Sequence, residues 1–461
     1  MRDRAAAHRT VLMALAVVVG LAVLPACNGR AGSGLWKRDL EAVVLTGAQV
    51  PALNGFSPDS IVAFRWNSEQ RLWQQVPVQV DERHLELLAK LRNGSGTTGP
   101  TALAYSDPGA NAGADPITTV DADDEIAFMA ADVGGEAFGS TGVPAGVVPS
   151  SGLRVTVVDP LATFDSIRGS GVGYVYLFRR STASLLPGAG RDYVDYAFDV
   201  ADPMGHVEDS TISSDRYSTH FAARWTRDRL TIGLGPDILD RHRNLFAVGN
   251  CIRSEDTFSA GDGGYATNID GPVRVIRSYL GANSGTYTQR EHIFYRGTER
   301  VQTFLRVHAI SGILDFYDLS PAAAGMQYAS SSTPGGVLVD GVPDTTGAAA
   351  PTWEAVTGAQ GALVSATASQ TDIAGLVTQA YYLDDSTPPA VQCTGDAHEY
   401  GAAGTAITST IPNTDPVQSP FNSFTATRWN VYVPPTEGAD TAAHVANLGA
   451  PVTVTVAPFA P

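Results

Sequence analysis

Apolar and polar residues alternate over short stretches of the chain, and segments rich in Gly, Pro, Ser and Thr separate these stretches. Alternation with a period of two is typical of strands that bury one face. The stretches with this character are 60–66, 72–80, 125–131, 153–159, 173–179, 193–200, 361–367, 376–383, 424–433 and 452–457. They predict a mostly β protein, a large antiparallel β-sandwich or supersandwich with few short helices.

A short helix and a long loop are predicted between the early strands. Leu85, Leu88 and Leu91 recur at intervals of three, which predicts an amphipathic helix over 83–92. Residues 93–120 are rich in Gly, Ser, Thr and Pro, a composition typical of loops.

The composition changes near residue 320, because the remainder is lower in charge and richer in Gly, Ala, Thr and Ser. We therefore expect a main β-sandwich domain over 39–320 and a C-terminal β-rich region over 321–461. This region is either a small second sandwich or the closing strands of the same sheets.

The most regular pattern is a run of three strands predicted over 272–280, 287–296 and 300–310. The turns between them are short, 281–285 and 297–299. Such short connections favour an antiparallel meander over β-α-β units.

Basic, histidine and aromatic side chains fall on one predicted face of this meander. On the third strand, Val301, Thr303 and Leu305 alternate with outward-facing residues and are expected to pack inward. With a three-residue turn at 297–299, Arg290 lies opposite Arg306, although a slip of one residue would separate them. The residues expected on this outward face are Arg290, His292, Phe304, Arg306 and His308.

Arginines so close together need an anion between them, which Glu291, Asp315, Asp318 or an acidic ligand can supply. A histidine beside arginine has a lowered pKa and can act as a base near neutral pH. The face is therefore either a cleft for an acidic or polyhydroxylated substrate or a charged network that stiffens the sheet.

A second group of candidates lies in the segment RYSTHFAARW. His220 and Arg224 share a side whether this segment is helical or extended. The group is either a polar site or a loop histidine with exposed arginines, and it comprises Arg216, Tyr217, His220, Arg224 and Trp225.

Asp121, Asp123 and Asp124 supply hard oxygen ligands just before a strand. Carboxylates of this kind suit calcium, although the order of residues in an EF-hand loop is missing. We expect either a calcium site or a solvated acidic turn, and no feature of the sequence requires another cofactor.

The N-terminus resembles a bacterial lipoprotein signal. Basic residues precede an apolar run over 11–23, and the sequence LPAC follows, ending at Cys27. This resemblance implies a signal peptide over 1–26, a lipid on Cys27, a flexible tether over 27–38, and a place at the outer membrane or cell surface. In that oxidising compartment, Cys251 and Cys393 are either a disulfide pair or two buried thiols.

The net charge and the absence of common catalytic motifs exclude several classes of function. A formal net charge of −17 argues against a nucleic-acid partner. The sequence contains no G-x-S-x-G, H-E-x-x-H or P-loop motif, which removes the most easily recognised hydrolases, zinc proteases and nucleotide-binding proteins.

Three sequence segments resemble segments of known protein families. WQQVPVQVDE (73–82) and DADDEIAFMAAD (121–132) are similar to the opening of some uncharacterised secreted bacterial proteins. DGPVRVIRSY (270–279) resembles the central strand of the galactose-mutarotase-like β-supersandwich, which occurs in polysaccharide lyases and sugar-binding enzymes.

The supersandwich resemblance implies a concave sheet that holds an extracellular glycan or another polymer. In the lyases, Tyr or His abstracts a proton beside a uronate carboxylate that Arg or Asn neutralises. Here it implies catalytic roles for Tyr287, His292 and His308, and substrate-binding roles for Arg277, Arg290, Phe304 and Arg306. The alternatives are a non-catalytic envelope or adhesion lipoprotein and a calcium-dependent binding module.

Overall fold

The fold is described from a computed structural model. This structure describes residues 38–163, 171–202, 205–246, 254–259, 263–281, 287–306, 310–371, 373–387, 399–411 and 424–459. Cys27, Cys251, Cys393 and His308, and with them the signal peptide, lipid and disulfide predictions, lie outside these residues.

Strands dominate the described chain, and helices are few and short. The first nine strands are β1 (Ala42–Thr46), β2 (Ile61–Asn67), β3 (Leu72–Val76), β4 (Gln79–Asp81), β5 (Arg83–Leu87), β6 (Thr101–Tyr105), β7 (Glu125–Met129), β8 (Leu153–Val158) and β9 (Val172–Arg179). The next ten are β10 (Asp195–Ala197), β11 (Ser210–Ser213), β12 (Tyr217–Phe221), β13 (Arg227–Ile232), β14 (Leu239–Phe246), β15 (Gly264–Ile269), β16 (Val275–Leu280), β17 (Gln289–Phe294), β18 (Thr298–Leu305) and β19 (Ile310–Leu319). The last eight are β20 (Gln327–Ser330), β21 (Thr333–Leu338), β22 (Trp353–Gly358), β23 (Gly361–Thr371), β24 (Thr378–Asp385), β25 (Glu399–Ile411), β26 (Phe424–Val433) and β27 (Thr453–Pro458). The α-helices are α1 (Leu88–Asn93), α2 (Glu255–Ser259) and α3 (Thr441–Gly449).

The N-terminal sheets pack as layers. A three-stranded sheet, β1-β7-β4, lies between a five-stranded sheet, β27-β8-β9-β2-β3, and a nine-stranded sheet. Phe128 of β7 packs toward the five-stranded sheet, whereas Met129 packs toward Ile276 and Ile293 of the nine-stranded sheet. Because successive side chains of a strand point to opposite faces, a strand between two sheets is apolar on both. All five residues of β7 are accordingly buried.

The largest core lies on the other face of the nine-stranded sheet, whose order is β15-β16-β17-β18-β26-β23-β22-β20-β21. Two four-stranded sheets pack there, β10-β11-β12-β13 and β14-β19-β25-β24. Phe294 and Tyr432 of the large sheet meet Phe221 of β12 and Leu319 of β19 in one apolar cluster. We call this face of the nine-stranded sheet its inner face.

Strands after residue 320 pair with strands before it. β26 lies between β18 and β23, β25 pairs with β19, and β27 pairs with β8. The C-terminal strands thus extend the same sheets.

The predicted fold class is confirmed, since the described chain forms antiparallel sheets with few short helices. The meander of β16, β17 and β18 also forms as predicted, and the strand stretches predicted at 60–66 and 72–80 pair as the hairpin of β2 and β3. No helix in the described part of the chain is both long and apolar enough to cross a bilayer.

The helix predicted over 83–92 is wrong in its first half. Residues 83–87 form β5, which pairs with β6 inside the region predicted to be a loop. Leu85 is 68% exposed opposite Leu103, whereas Leu88 and Leu91 are fully buried in α1. Pairing of β5 with β6 therefore outweighs the local leucine spacing. The helix α1 ends at Asn93 and is capped by Gly94, whose φ is +73°.

Candidate functional site

The predicted grouping of basic side chains on the meander is wrong, because the turn is shorter than expected. The Tyr295 N–H donates to the Thr298 carbonyl, which leaves a two-residue loop of Arg296 and Gly297. Arg290 consequently pairs with Thr303 and not with Arg306. A register shift of three positions is odd, so it moves Arg306 to the opposite face of the sheet.

Arg306 and Phe304 lie on the outer face. The Arg306 guanidinium donates to Gln289 Oε1 at 2.8 Å and sits 4.6 Å from the centre of the Phe304 ring. Burial lowers the pKa of Arg306 to about 10. Tyr287 packs on this side, against the apolar cluster of α1.

Arg277 and His292 lie on the inner face but are fully buried. Arg277 donates to Glu208 at 2.6 Å and stacks over the Phe221 ring. His292 Nδ1 lies 2.8 Å from Glu299 Oε1, and burial lowers the pKa of His292 to about 4. Both side chains therefore belong to internal polar networks and not to an accessible cleft.

An inner-face cavity of about 360 Å³ lies between β18, β26 and β23 on one side and the sheet of β14, β19, β25 and β24 on the other. We call it the Arg428 cavity. Its polar lining includes His242, Thr303, Asp315, Thr378, Thr405 and Arg428. Phe424, Ala426 and Val301 contribute apolar surface.

Asp315 anchors the polar wall of this cavity. Its Oδ1 accepts from His242 Nε2 at 2.8 Å, and its Oδ2 accepts from Arg290 Nη2 at 2.9 Å. Burial opposes ionisation, but the charge of Arg290 and the contact with His242 outweigh it and lower the pKa of Asp315. The side chain keeps 18% exposure, so its remaining lone pairs can reach a ligand.

Asp315 is one of the three carboxylates that the sequence offered as partners for the arginines. Asp318 instead binds Arg243, and Glu291 binds Arg300. The anion beside Arg290 is thus supplied by the protein itself.

His242 is a neutral hydrogen-bond donor at physiological pH. Burial, reinforced by the charge of Arg290, lowers the pKa of His242 to about 3. An ionised carboxylate only accepts, so Nε2 carries the proton toward Asp315. Arg290 Nη1 lies 3.3 Å from Nδ1, and both ring nitrogens are therefore engaged. This arrangement positions Asp315 and does not present a free base.

Arg428 brings a positive charge to the opposite wall. It pairs with Val301 across β26 and β18, and its guanidinium lies 4.8 Å from the centre of the Tyr317 ring. Its Nη1 is 3.4 Å from Glu354 Oε2, a long contact. The side chain is 10% exposed, so part of the guanidinium group can contact a ligand in the cavity.

The second group predicted from sequence does not converge. Arg216 binds Glu437, and the Trp225 indole donates to the Gly281 carbonyl. His220 lies between Asp209 and Asp228; burial alone would lower its pKa, but these two carboxylates raise it.

Asp121, Asp123 and Asp124 do come together, with ligand oxygens within 4.8 Å of one another. They lie in the turn that enters β7, remote in sequence from the residues of the Arg428 cavity.

Sequence reasoning missed His242 and Arg428 as site residues. They lie on β14 and β26, which β19 and β18 bring to the two walls. Arg428 lies on a strand face that it shares with Phe424, Ala426, Asn430 and Tyr432, and a charged residue among them is the one local sign of either residue.

Comparisons with known proteins add little. No protein-family model and no curated protein matches the chain. Among solved structures, a putative aldose 1-epimerase from Escherichia coli K12 is similar at 11% identity, with a TM-score of 0.31, over 48% of this chain and 97% of that one. A likeness at this TM-score is too slight to support a shared site or activity.

Proposed function

We propose that the chain is an exported, lipid-anchored β-sandwich protein that binds carbohydrate in the Arg428 cavity. The observation that carries this proposal is the lining of the cavity. Several threonines, Asp315 and Arg428 line one half-open cavity, with apolar residues beside them.

This lining matches the chemistry of a sugar. Hydroxyl groups of a sugar donate and accept, and they pair well with a carboxylate, a guanidinium and threonine Oγ1 atoms. The apolar patch of Phe424 and Ala426 suits the C–H face of a pyranose ring. A uronate carboxylate would find its countercharge at Arg428.

Binding is favoured over cleavage. A lyase needs a base that reaches the substrate, and both nitrogens of His242 already have partners. His292 has no exposed surface from which to act.

The test is a binding titration of the purified protein with a panel of uronate-containing and neutral oligosaccharides. Arg428→Met should weaken the best ligand about 10–100-fold, because a charge-assisted hydrogen bond is lost. Thr405→Val, which keeps the shape of the side chain, should weaken it about fivefold. Arg154→Met, on the five-stranded sheet, is the matched control and should bind as the parent does.

Two outcomes would contradict the proposal. One is no binding by any glycan at millimolar concentration, which would leave an envelope protein without a small-molecule site. The other is equal binding by the parent and both cavity variants. The absorbance of unsaturated products is measured in the same mixtures. An increase in this absorbance would show that the protein cleaves the glycan as a lyase and does not only bind it.

The anchor rests on the N-terminal sequence alone. Cys27→Ser should move the protein from the membrane fraction to the soluble fraction, because the lipid has lost its attachment site. Fractionation with immunodetection measures this. Retention of the variant in the membrane would contradict lipidation at Cys27.

A further inference from the structure

A groove of about 510 Å³ lies beside β15, the edge strand of the nine-stranded sheet. One side is the loop over 109–111, in which the Asn111 N–H donates to the Tyr265 carbonyl of β15 at 3.0 Å. The other side is the segment over 198–202, which follows β10. We call this space the Phe198 groove, and its described lining residues are all different from those of the Arg428 cavity.

Phe198 gives the groove an apolar surface. Its ring centre lies 5.2 Å from that of Tyr265, which it meets edge to face, and 5.4 Å from that of Tyr196. Both tyrosines are buried, whereas Phe198 is 44% exposed. Because ring contacts of this kind favour one arrangement of the rings, the exposed part of Phe198 is a positioned apolar surface.

Three asparagine side chains line the same groove, and each is held through one atom of its amide. Asn111 Nδ2 donates to a backbone carbonyl of α1 at 3.0 Å, and Asn268 Oδ1 accepts from the Tyr196 hydroxyl at 3.0 Å. Asn93 Oδ1 accepts from the backbone N–H two residues later at 3.1 Å. The second amide atom of each has no hydrogen-bond partner among the described residues. The protein thus orients three amides and leaves one carbonyl oxygen and two amino groups for a ligand.

The charge of the lining narrows the class of ligand. Among the described residues that line the groove, Asp202 is the only charged one. An acidic ligand would therefore meet a carboxylate without a lining guanidinium or ammonium group to offset it. Hydroxyl groups, which both donate and accept, can pair with the amides and with a carboxylate.

We propose that the Phe198 groove is a second ligand site, which takes a neutral hydroxylated ring such as one hexose unit of a glycan. The apolar face of the ring lies on Phe198, and its hydroxyl groups pair with the amides of Asn93, Asn111 and Asn268. The volume is within the usual range for a small-molecule site. The proposal does not rest on the Arg428 cavity, because the two sites differ in lining and in charge.

The experiment titrates the whole purified protein by calorimetry with three neutral probes, maltohexaose, cellohexaose and mannohexaose. At least one should bind saturably. Phe198→Ala should raise its Kd about tenfold, because the sugar loses its apolar partner. Asn93→Ala should raise it about threefold to tenfold, because one hydrogen bond is lost. Arg428→Met should leave this binding unchanged.

Phe138→Ala is the matched control, because Phe138 is also an exposed ring, at 67%, and lies outside the groove. It should bind as the parent does. The site is overturned if no neutral probe binds at millimolar concentration, or if Phe198→Ala binds as tightly as Phe138→Ala. Binding that Arg428→Met weakens and Phe198→Ala does not would place the neutral sugar in the Arg428 cavity and would also overturn the second site. Phe198→Leu, which keeps apolar bulk but not the flat ring, takes the place of Phe198→Ala if that variant does not fold.

Discussion

Replacing Glu299 with Gln should lower the free energy of unfolding by about 3–5 kcal/mol. Glu299 is 1% exposed and is the anion at the centre of the inner-face network. It binds Arg227 Nη1 at 2.9 Å, His292 Nδ1 at 2.8 Å and Asn430 Nδ2 at 2.8 Å, and it also accepts from the Tyr432 hydroxyl.

The loss is large because the change removes the charge partner of Arg227. Arg227 is 1% exposed, and its other hydrogen-bond acceptors in the described part of the chain are neutral oxygens, those of Thr219, Tyr317 and Tyr432. Chemical denaturation measures the change. Glu136→Gln is the control, since Glu136 pairs with Arg154 at the surface and should cost less than about 1 kcal/mol. Equal, small effects of both substitutions would contradict the role given to Glu299.

Two buried histidines should each make the protein less stable as the pH falls from about 6.5 toward 4. The folded-state pKa is about 3 for His242 and about 4 for His292, below the ordinary value of about 6.5. In that interval the unfolded chain binds protons that the folded chain does not. Each histidine therefore contributes a slope of about 1.4 kcal/mol per pH unit.

Carboxylates with raised pKa values oppose this slope. The pKa is raised to about 6 for Asp123 and Asp132 and to about 7 for Glu82, mainly by burial, so the folded chain binds their protons more readily than the unfolded chain does.

Two carboxylates with lowered pKa values act at lower pH. The pKa of Glu299 and that of Asp315 are lowered, so their stabilisation is present above about pH 4.3 and is lost as the pH falls further. The pKa of His220 is raised, so it adds no slope below about 6.5. Denaturation curves of the parent and of His292→Gln at several pH values isolate one histidine, and the substitution should lower the slope between pH 6 and 5 by about 1 kcal/mol per pH unit. An equal slope in the parent and in His292→Gln would show that this imidazole is not buried in the neutral form.

Local spacing was enough to predict much of the fold. The hairpin of β2 and β3 and the meander of β16 to β18 follow from alternation interrupted by polar turns, because neighbouring strands joined by short loops pair with each other. The apolar stretch at 125–131 predicted the strand β7, but it did not show that other sheets cover both faces of this strand.

Register and long-range pairing limited the prediction of the site. The turn was predicted at 297–299, but the chain makes a two-residue loop at Arg296 and Gly297. The predicted register therefore placed Arg306 on the wrong face of the sheet. Gly in a two-residue hairpin loop was a usable sign of the correct turn. No local pattern could place His242 beside Arg290 or Arg428 across from Asp315, since pairings between distant strands put them there.

We propose that the Arg428 cavity holds a carbohydrate. A crystal structure of the protein soaked with the tightest ligand of the oligosaccharide panel tests it most directly. We expect a sugar ring between the two sheets, with a hydroxyl or carboxylate group on Arg428, a hydroxyl on Asp315, and Phe424 beside the ring. Sugar density on another surface, with only water in the cavity, would contradict it.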